Sequence, residues 1–206
     1  MRRLLFLLIP TLFFSCLVYE QGLTINSDGS ADLKISYSLE QDVHKNLLEL
    51  QKASKKDAQT LSYFDEGAIK AHLDSFPSIE NHRIRVYTDN KKVFVDLKIN
   101  ISNLRQALDA GLIPYARLYK NGDNWRFMYS TPHDMTNIQD EESKKRLKGL
   151  DIKLKISTPS EIVSTNGEKK GDEDVLWNFS PEAKSQASEL PSTFFVEFKG
   201  EKISFD

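Results

Sequence analysis

A strict alternation of apolar and polar residues in the middle of the chain constrains its fold more than any other feature. Over residues 93–101 the apolar positions are Val93, Val95, Leu97, Ile99 and Ile101, and the positions between them are Phe94, Asp96, Lys98 and Asn100. Successive side chains of a β-strand point to opposite faces, so this period of two predicts a strand. It also predicts a sheet with one packed face and one solvated face. Phe94 is the apolar exception on the solvated face.

Turn signals elsewhere predict further hairpins. Each lies beside segments of alternating hydrophobicity, and they are Asp28-Gly29, Asp89-Asn90 and Asn121-Gly122. Glycine and asparagine tolerate the positive φ that tight hairpin turns need. Three more alternating segments predict strands in the C-terminal third of the chain, at residues 152–156, 175–179 and 194–198.

Segments with helical periodicity interrupt the strands. One covers residues 41 to about 56, a second follows a cap at Asp65, and a short third follows a cap at Ser102. The charged segment 140–148 is a further helix or a loop. The whole pattern predicts an α+β fold, an antiparallel sheet of several hairpins with two or three helices packed on one face. Residues 23–206 are expected to form this single domain.

The N-terminus carries the pattern of a secretory signal. Arg2 and Arg3 precede an apolar run at residues 4–14, which is too short to span a bilayer, and Ser15 and Cys16 close it. Cys16 is the single cysteine of the chain. A small residue followed by a lone cysteine at this place is the pattern of a bacterial lipoprotein signal.

The segment 12–16 resembles a lipobox, although Phe13 replaces the aliphatic residue that is usual there. In proteins with this signal the cysteine thiol receives diacylglycerol, the chain is cut before the cysteine, and the new amino group is acylated, with palmitate as a typical chain. We therefore expect residues 1–15 to be a removed signal peptide, Cys16 to be lipidated, and residues 16–22 to be a lipidated tether. The alternatives are a non-cleaved anchor and an ordinary signal with an incidental cysteine.

These features predict a protein of the bacterial cell envelope, attached to a membrane through its N-terminal lipid. Leu17 follows the cysteine, where an aspartate often signals inner-membrane retention, so the outer membrane is favoured, on its periplasmic or surface face. Removing the two signal arginines leaves 26 basic against 30 acidic residues, without the clustered basic surface of a nucleic-acid-binding protein. With Cys16 acylated, no cysteine is left for a disulfide or a zinc-thiolate site.

Three pieces of sequence resemble the domain of the LppM-type bacterial lipoproteins. They are Leu23–Ser30, Thr158–Gly167 and Val175–Phe179, and together they bracket almost the whole chain that follows the signal. The resemblance implies a membrane-tethered α+β ectodomain with no established catalytic activity and a role in lipid or envelope interactions. Many members of the family add a transmembrane segment after this domain. We expect none here, so that the topology rests on Cys16 alone.

No catalytic motif emerges from the sequence. None of the four histidines has a metal-ligand spacing, and the chain lacks a nucleophile elbow, a phosphate loop and a dinucleotide fingerprint. The acidic clusters at 141–142 and 172–174 are typical of solvated charge, not of a carboxylate pair with a raised pKa. We therefore expect no metal, no cofactor and no enzymatic activity.

Aromatic residues are concentrated around Asn121-Gly122 and in the last strand, where they usually build the core of a sheet. The alternative is that some line an apolar cleft for an acyl chain, with nearby arginines meeting an anionic headgroup. Alternation places Phe195 on the opposite face from Phe194 and Phe198. The candidate ligand-binding residues are Phe94, Tyr115, Arg117, Tyr119, Trp125, Arg126, Phe127 and Phe195.

Three classes of function remain open. A non-catalytic binding module for a lipid or glycolipid predicts an enclosed apolar cavity. A structural or assembly lipoprotein that holds another envelope protein predicts a flat apolar patch of several hundred Å². An enzyme predicts a polar cleft with interacting titratable side chains. We favour the binding module because no catalytic motif is present, and the sequence carries no signal for an oligomeric state.

Overall fold

The structure is a computed structural model that describes residues 17–54, 62–131, 149–180, 191–201 and 203–205, with the backbone alone at 50–54. The predicted signal peptide, Cys16 and the charged segment 140–148 lie outside the described residues. The strands are β1 Val18–Ile25, β2 Ala31–Glu40, β3 Ile79–Asp89, β4 Lys92–Ile101, β5 Ala116–Asn121, β6 Asn124–Ser130, β7 Asp151–Ser157, β8 Ile162–Thr165, β9 Glu168–Lys169, β10 Asp174–Phe179 and β11 Thr193–Lys199. The helices are α1 Gln41–Ser54, a 3₁₀ turn at Ser62–Phe64, α2 Glu66–Leu73 and α3 Leu104–Asp109.

These strands form two sheets instead of the one sheet that the sequence predicts. The large sheet has the order β3-β4-β2-β1-β7-β10-β9, and the small sheet has the order β5-β6-β11-β8. The pair β1–β7 is parallel, whereas the other pairs are antiparallel. The α+β class is confirmed, but the single antiparallel sheet is wrong. Alternation reports that a strand has one buried face and does not report which sheet contains that strand.

The hairpin turns lie where the sequence places them. Gly29 has a φ of +87° in the turn between β1 and β2, and Gly122 has a φ of +64° between β5 and β6. Asn90 and Lys91 have φ values of 47° and 63° in the turn that joins β3 to β4. Positive φ at these positions matches the right-handed twist of paired strands, so each turn fixes the register of its hairpin.

The core lies between the two sheets. Buried side chains from the inner faces of both belong to one cluster, with Leu23, Leu33 and Leu97 from the large sheet and Val196 and Phe198 from the small sheet. Each such side chain stabilises the fold by about 1.5–3 kcal/mol through burial. One face of the large sheet is therefore packed against the small sheet, and its opposite face is left to solvent.

Two short helices close the same core. Ile69 and Leu73 of α2, and Leu104 of α3, are buried in the shared cluster. The predicted cap Asp65 is confirmed, since its carboxylate accepts a hydrogen bond from the Ala68 amide at 2.7 Å. The cap of α3 is one residue later than predicted: the side-chain oxygen of Asn103 accepts from the Gln106 amide at 2.9 Å.

The first strand begins two residues after Cys16, the last residue of the lipobox-like segment. Leu17 is buried in a small cluster with Leu150 and Phe179, and its carbonyl accepts a hydrogen bond from the Asp151 amide at 3.0 Å. β1 begins at Val18, so most of the segment 16–22 that we expect to be a tether belongs to the sheet. The chain is therefore held in the fold from residue 17 onward.

Candidate functional site

The candidate ligand-binding residues of the sequence fall in three different places. Trp125 and Phe127 are buried between the sheets, 8% and 2% exposed, and belong to the core. Arg117, Tyr119, Arg126 and Phe195 lie together on the outer face of the small sheet, as the register of β5, β6 and β11 requires. Phe94 lies on the outer face of the large sheet, and Tyr115 is exposed just before β5. Tyr119 and Trp125 line one small pocket of about 290 Å³ with Lys120, but the eight candidate residues do not share one cleft.

On the small sheet the arginine is already paired. The Glu197 carboxylate, only 7% exposed, accepts hydrogen bonds from Asn121 at 3.0 Å, Asn124 at 2.9 Å and the Arg126 guanidinium at 2.9 and 2.5 Å. The hydrogen bond from Asn124, followed by those from Asn121 and Arg126, lowers the pKa of the Glu197 carboxyl. The guanidinium also lies 5.0 Å from the centre of the Phe195 ring. Arg126 is therefore committed to this structural cluster and is a poor candidate for a free anion site.

The outer face of the large sheet carries a different arrangement, in which cations stand side by side on neighbouring strands. Arg83 of β3 is opposite Lys98 of β4, Lys98 is opposite Lys34 of β2, and Lys34 is opposite Gly22 of β1. Gly22 in turn is opposite Lys155 of β7. Adjacent strands are about 4.8 Å apart, so these five positions form one line of about 19 Å across the sheet. We call these five residues the cationic row.

Most of the charge in this row is not neutralised by the protein. Lys155 forms an ion pair with Asp174 at 2.9 Å. Among the described residues no carboxylate lies within ion-pair distance of Arg83, Lys34 or Lys98. Like charges directly opposite each other destabilise a sheet by a few tenths of a kcal/mol to about 1 kcal/mol per pair. The row is thus an unfavourable arrangement for the free protein.

The row is depressed at Gly22, between Lys34 and Lys155, because glycine has no side chain. A side chain added at Gly22 meets no atom within 4 Å of its Cβ, so the space above the strand is empty. The described residues around it form an open groove of about 620 Å³. Glycine inside a strand weakens the strand and often marks a place where a ligand approaches the backbone closely. The groove therefore combines free space with surrounding positive charge.

The next row toward the N-terminus of β1 is mixed in charge and better paired. Lys153 contacts Glu20 at 3.0 Å, and this hydrogen bond raises the pKa of the lysine. The carboxylate of Asp96 accepts a hydrogen bond from the Ser36 hydroxyl at 2.7 Å. These groups end the groove on one side and leave the cationic row as its most positive part.

One row further lies an aromatic pair. Phe94 stacks on Tyr87 of β3, with ring centres 5.1 Å apart and planes 10° apart, and the Arg85 guanidinium lies 5.0 Å from the centre of the Tyr87 ring. Phe94 was visible in the sequence as an apolar exception on a solvated face. Tyr87 and the cationic row could not be recognised in the sequence. They depend on which strands pair with each other, and the local pattern does not reveal that pairing.

Within the described ranges no group of three or more potential ligand side chains is arranged to hold a metal ion. No helix in that part of the chain is long and apolar enough to cross a membrane. The groove is open and has many charged side chains in its lining, unlike the enclosed apolar cavity that we expected for a lipid-binding module.

Comparison with solved structures gives the same topology. The folded domain of LppM from Mycobacterium tuberculosis, determined by NMR, matches with a TM-score of 0.53 and 16% sequence identity, over 93% of this chain and 96% of that domain. The Fcho1 Mu homology domain of Danio rerio is also similar over 92% of this chain and 81% of its own, but its TM-score of 0.16 and identity of 10% carry no structural argument. No curated protein matches the sequence.

The family comparison agrees with the resemblance seen in the three sequence pieces. The model of the LppM domain matches residues 19–189, which include all the strands from β2 to β10 and almost all of β1. The chain therefore belongs to the LppM domain family.

Proposed function

We propose that this chain is a membrane-anchored bacterial lipoprotein that acts as a non-catalytic binding module for an anionic lipid or glycolipid of the cell envelope. The cationic row is the binding site. The observation that carries the proposal is the line of Arg83, Lys98, Lys34 and Lys155 around the bare backbone of Gly22. A bound phosphate or carboxylate removes the mutual repulsion of these cations. The relief of that repulsion adds to the free energy of binding.

The anchor supports the envelope part of the proposal. The lipobox-like segment before Leu17 and membership in the LppM domain family both agree with an acylated Cys16. Three acyl chains bury many methylene groups at about 0.8 kcal/mol each, enough for stable attachment. The outer membrane is the favoured location, because Leu17 stands where aspartate often causes inner-membrane retention.

The chemistry of the groove favours binding over catalysis. A nucleophilic lysine needs a lowered pKa, whereas contact with Glu20 raises the pKa of Lys153. The carboxyl of Asp174 has a lowered pKa, chiefly through its hydrogen bond with the Ser157 hydroxyl, so that it stays ionised instead of acting as an acid near neutral pH. The groove thus offers fixed positive charge without an activated base or nucleophile.

The assembly function is less well supported. It predicts one contiguous apolar patch. The exposed large apolar side chains among the described residues are instead distributed over three places. Tyr87 is on the large sheet, Tyr115 and Tyr119 are just before and on the edge strand β5, and Val163 is on the opposite edge strand β8. This separation favours a ligand groove over a flat docking surface.

Native mass spectrometry of the full acylated chain in detergent tests the proposal. Phosphatidylglycerol is the anionic probe, and phosphatidylcholine is the probe without net charge. We expect the wild-type chain to retain phosphatidylglycerol preferentially and the variant Lys98→Glu to lose at least ten-fold of that affinity, because the row becomes mixed in sign.

Lys120→Glu is the matched control, because Lys120 is exposed on the small sheet and its substitution changes the charge without touching the groove. An equal loss of phosphatidylglycerol affinity in the Lys120 variant would show that the effect comes from net charge and not from the groove. Equal retention of both lipids by the wild-type chain would contradict the proposal.

A further inference from the structure

The end of the large sheet nearest the lipidation site presents an exposed aromatic pair. Val18, the first residue of β1, is opposite Ser38, Ser38 is opposite Phe94, and Phe94 is opposite Tyr87. All four side chains belong to one row on the outer face. At about 4.8 Å per strand, Phe94 is about 10 Å and Tyr87 about 14 Å from Val18 along that row.

The acyl group of Cys16 cannot move far from this row. Consecutive α-carbons are 3.8 Å apart, so the α-carbon of residue 16 lies within about 8 Å of that of Val18. Leu17 adds no slack, because its side chain is only 4% exposed and its carbonyl is bonded to the Asp151 amide. An acylated Cys16 therefore brings the Val18 row to the bilayer surface. This step rests on the acylation included in the proposed function.

The aromatic pair has the chemistry of a membrane interface. Tyr87 is 36% exposed, which is high for a tyrosine already stacked on a phenylalanine, and Phe94 is half-buried. Aromatic side chains with a polar tip are favoured at the level of lipid headgroups, where one part is dry and another is wet. Lys91, in the turn between β3 and β4, is exposed at the same end and suits anionic headgroups.

We propose that the Tyr87–Phe94 pair rests in the headgroup region of the membrane that holds the anchor. The bilayer is the occupant of this surface because the acyl chains and the aromatic pair lie at the same end of the same sheet. The cationic row is four residues further along each strand, so it stands about 13 Å away from the membrane. A ligand held in the bilayer must extend about this far to reach the row, whereas a lipid presented in detergent reaches it directly.

Tryptophan fluorescence in vesicles tests this orientation. The full acylated chain is reconstituted in vesicles of phosphatidylcholine and phosphatidylglycerol, with or without brominated acyl chains that quench nearby tryptophan. The variant Tyr87→Trp reports on the pair, and Asn81→Trp is the matched control. Asn81 is exposed on the same face of β3, six residues away, or about 20 Å. The native Trp125 and Trp177 are buried and give the baseline in the wild-type chain.

We expect brominated lipid to quench Tyr87→Trp at least two-fold more than the wild-type chain, and Asn81→Trp no more than the wild-type chain. Phe94→Trp is a second reporter in the same row. If the chain floats with vesicles but shows no extra quenching at position 87 or 94, the proposed orientation of the aromatic pair is wrong, although attachment through the anchor remains supported. Failure to float would overturn the anchor as well. Protection of Tyr87→Trp from acrylamide without quenching by brominated lipid would indicate contact with a second copy of this chain and would also overturn the orientation.

Discussion

At the scale of single residues, the absence of a side chain shapes the groove more than any charge does. Gly22 is in a regular strand, without a positive φ that would require glycine, and its Cβ position is free of contacts. By contrast, a Cβ at Gly167 would come within 2.5 Å of Val175 and Trp177. At position 167 close packing leaves no room for a side chain. At position 22 there is room, and the glycine leaves that space open within the cationic row.

The substitution Gly22→Trp therefore fills the groove without straining the fold. We expect phosphatidylglycerol binding to fall at least ten-fold, while the free energy of unfolding changes by less than about 1 kcal/mol, in line with surface changes in general. Thr24→Trp is the control, because Thr24 is exposed on the same face of β1 and outside the row. Lipid titration and urea denaturation of the three proteins separate a blocked site from an unfolded one. Unchanged binding in Gly22→Trp would place the ligand elsewhere.

Residue identity alone predicted part of this surface. Phe94 was recognisable as an apolar residue on a solvated face, and Phe195 was correctly placed on the face opposite Phe194 and Phe198. Phe127 was proposed for a cleft and instead belongs to the core, because the small sheet turns that face toward the large sheet. Trp125 belongs to the core and also lines the small pocket with Tyr119. An aromatic side chain in a strand has no local mark that separates a packed role from a binding role.

At the scale of elements, the cationic row is a product of strand register. Lys34 and Lys98 are 64 positions apart in sequence and become neighbours only because β2 pairs with β4. The hairpin turns at Gly29 and Asn90 could be predicted from turn chemistry, and each fixes one register. The parallel pair β1–β7, which adds Lys155, joins strands from opposite ends of the chain, and no turn encodes it. The sequence pattern alone therefore does not reveal the row.

Because the cations of the row repel each other, we expect removal of one of them to raise stability and to lower ligand affinity. Lys98 lies between Arg83 and Lys34, so Lys98→Thr removes two like-charge neighbours and introduces a residue that favours strands. We expect the variant to gain about 0.2–1 kcal/mol in its free energy of unfolding at low salt and to lose phosphatidylglycerol affinity. Added salt should reduce the gain, since screening weakens repulsion between exposed charges.

Lys120→Thr is the charge-matched control for this measurement, and we expect it to show neither the stabilisation nor the loss of binding. Urea denaturation at two salt concentrations and lipid titration give both quantities. A variant of Lys98 that is less stable at low salt would show that the row is not strained. A variant that binds phosphatidylglycerol as the wild type does would show that the row is not the binding site.

At the scale of the whole molecule, the proposed anchor residue Cys16 directly precedes the folded body, which begins at Leu17. A lipoprotein with a long tether samples many orientations, whereas this chain enters its central sheet at Val18 behind the buried Leu17. The same sheet has one face packed on the small sheet and one face bearing the groove. The proposed attachment at one end of that sheet would thus set both the height of the cationic row above the membrane and the direction in which the groove opens.

Lengthening the connection should separate attachment from orientation. Ten Gly/Ser residues inserted between Cys16 and Leu17 span about 17 Å on average, which exceeds the distance from Val18 to Tyr87 along the row. In such a chain carrying Tyr87→Trp we expect flotation with vesicles to persist and quenching by brominated lipid to fall to the level of Asn81→Trp. The same insert after Gly122, in the turn between β5 and β6, leaves the anchor connection intact and should preserve the quenching. Quenching that survives the insert at residue 16 would show that the aromatic pair finds the membrane by its own affinity, and that the short connection does not determine the orientation.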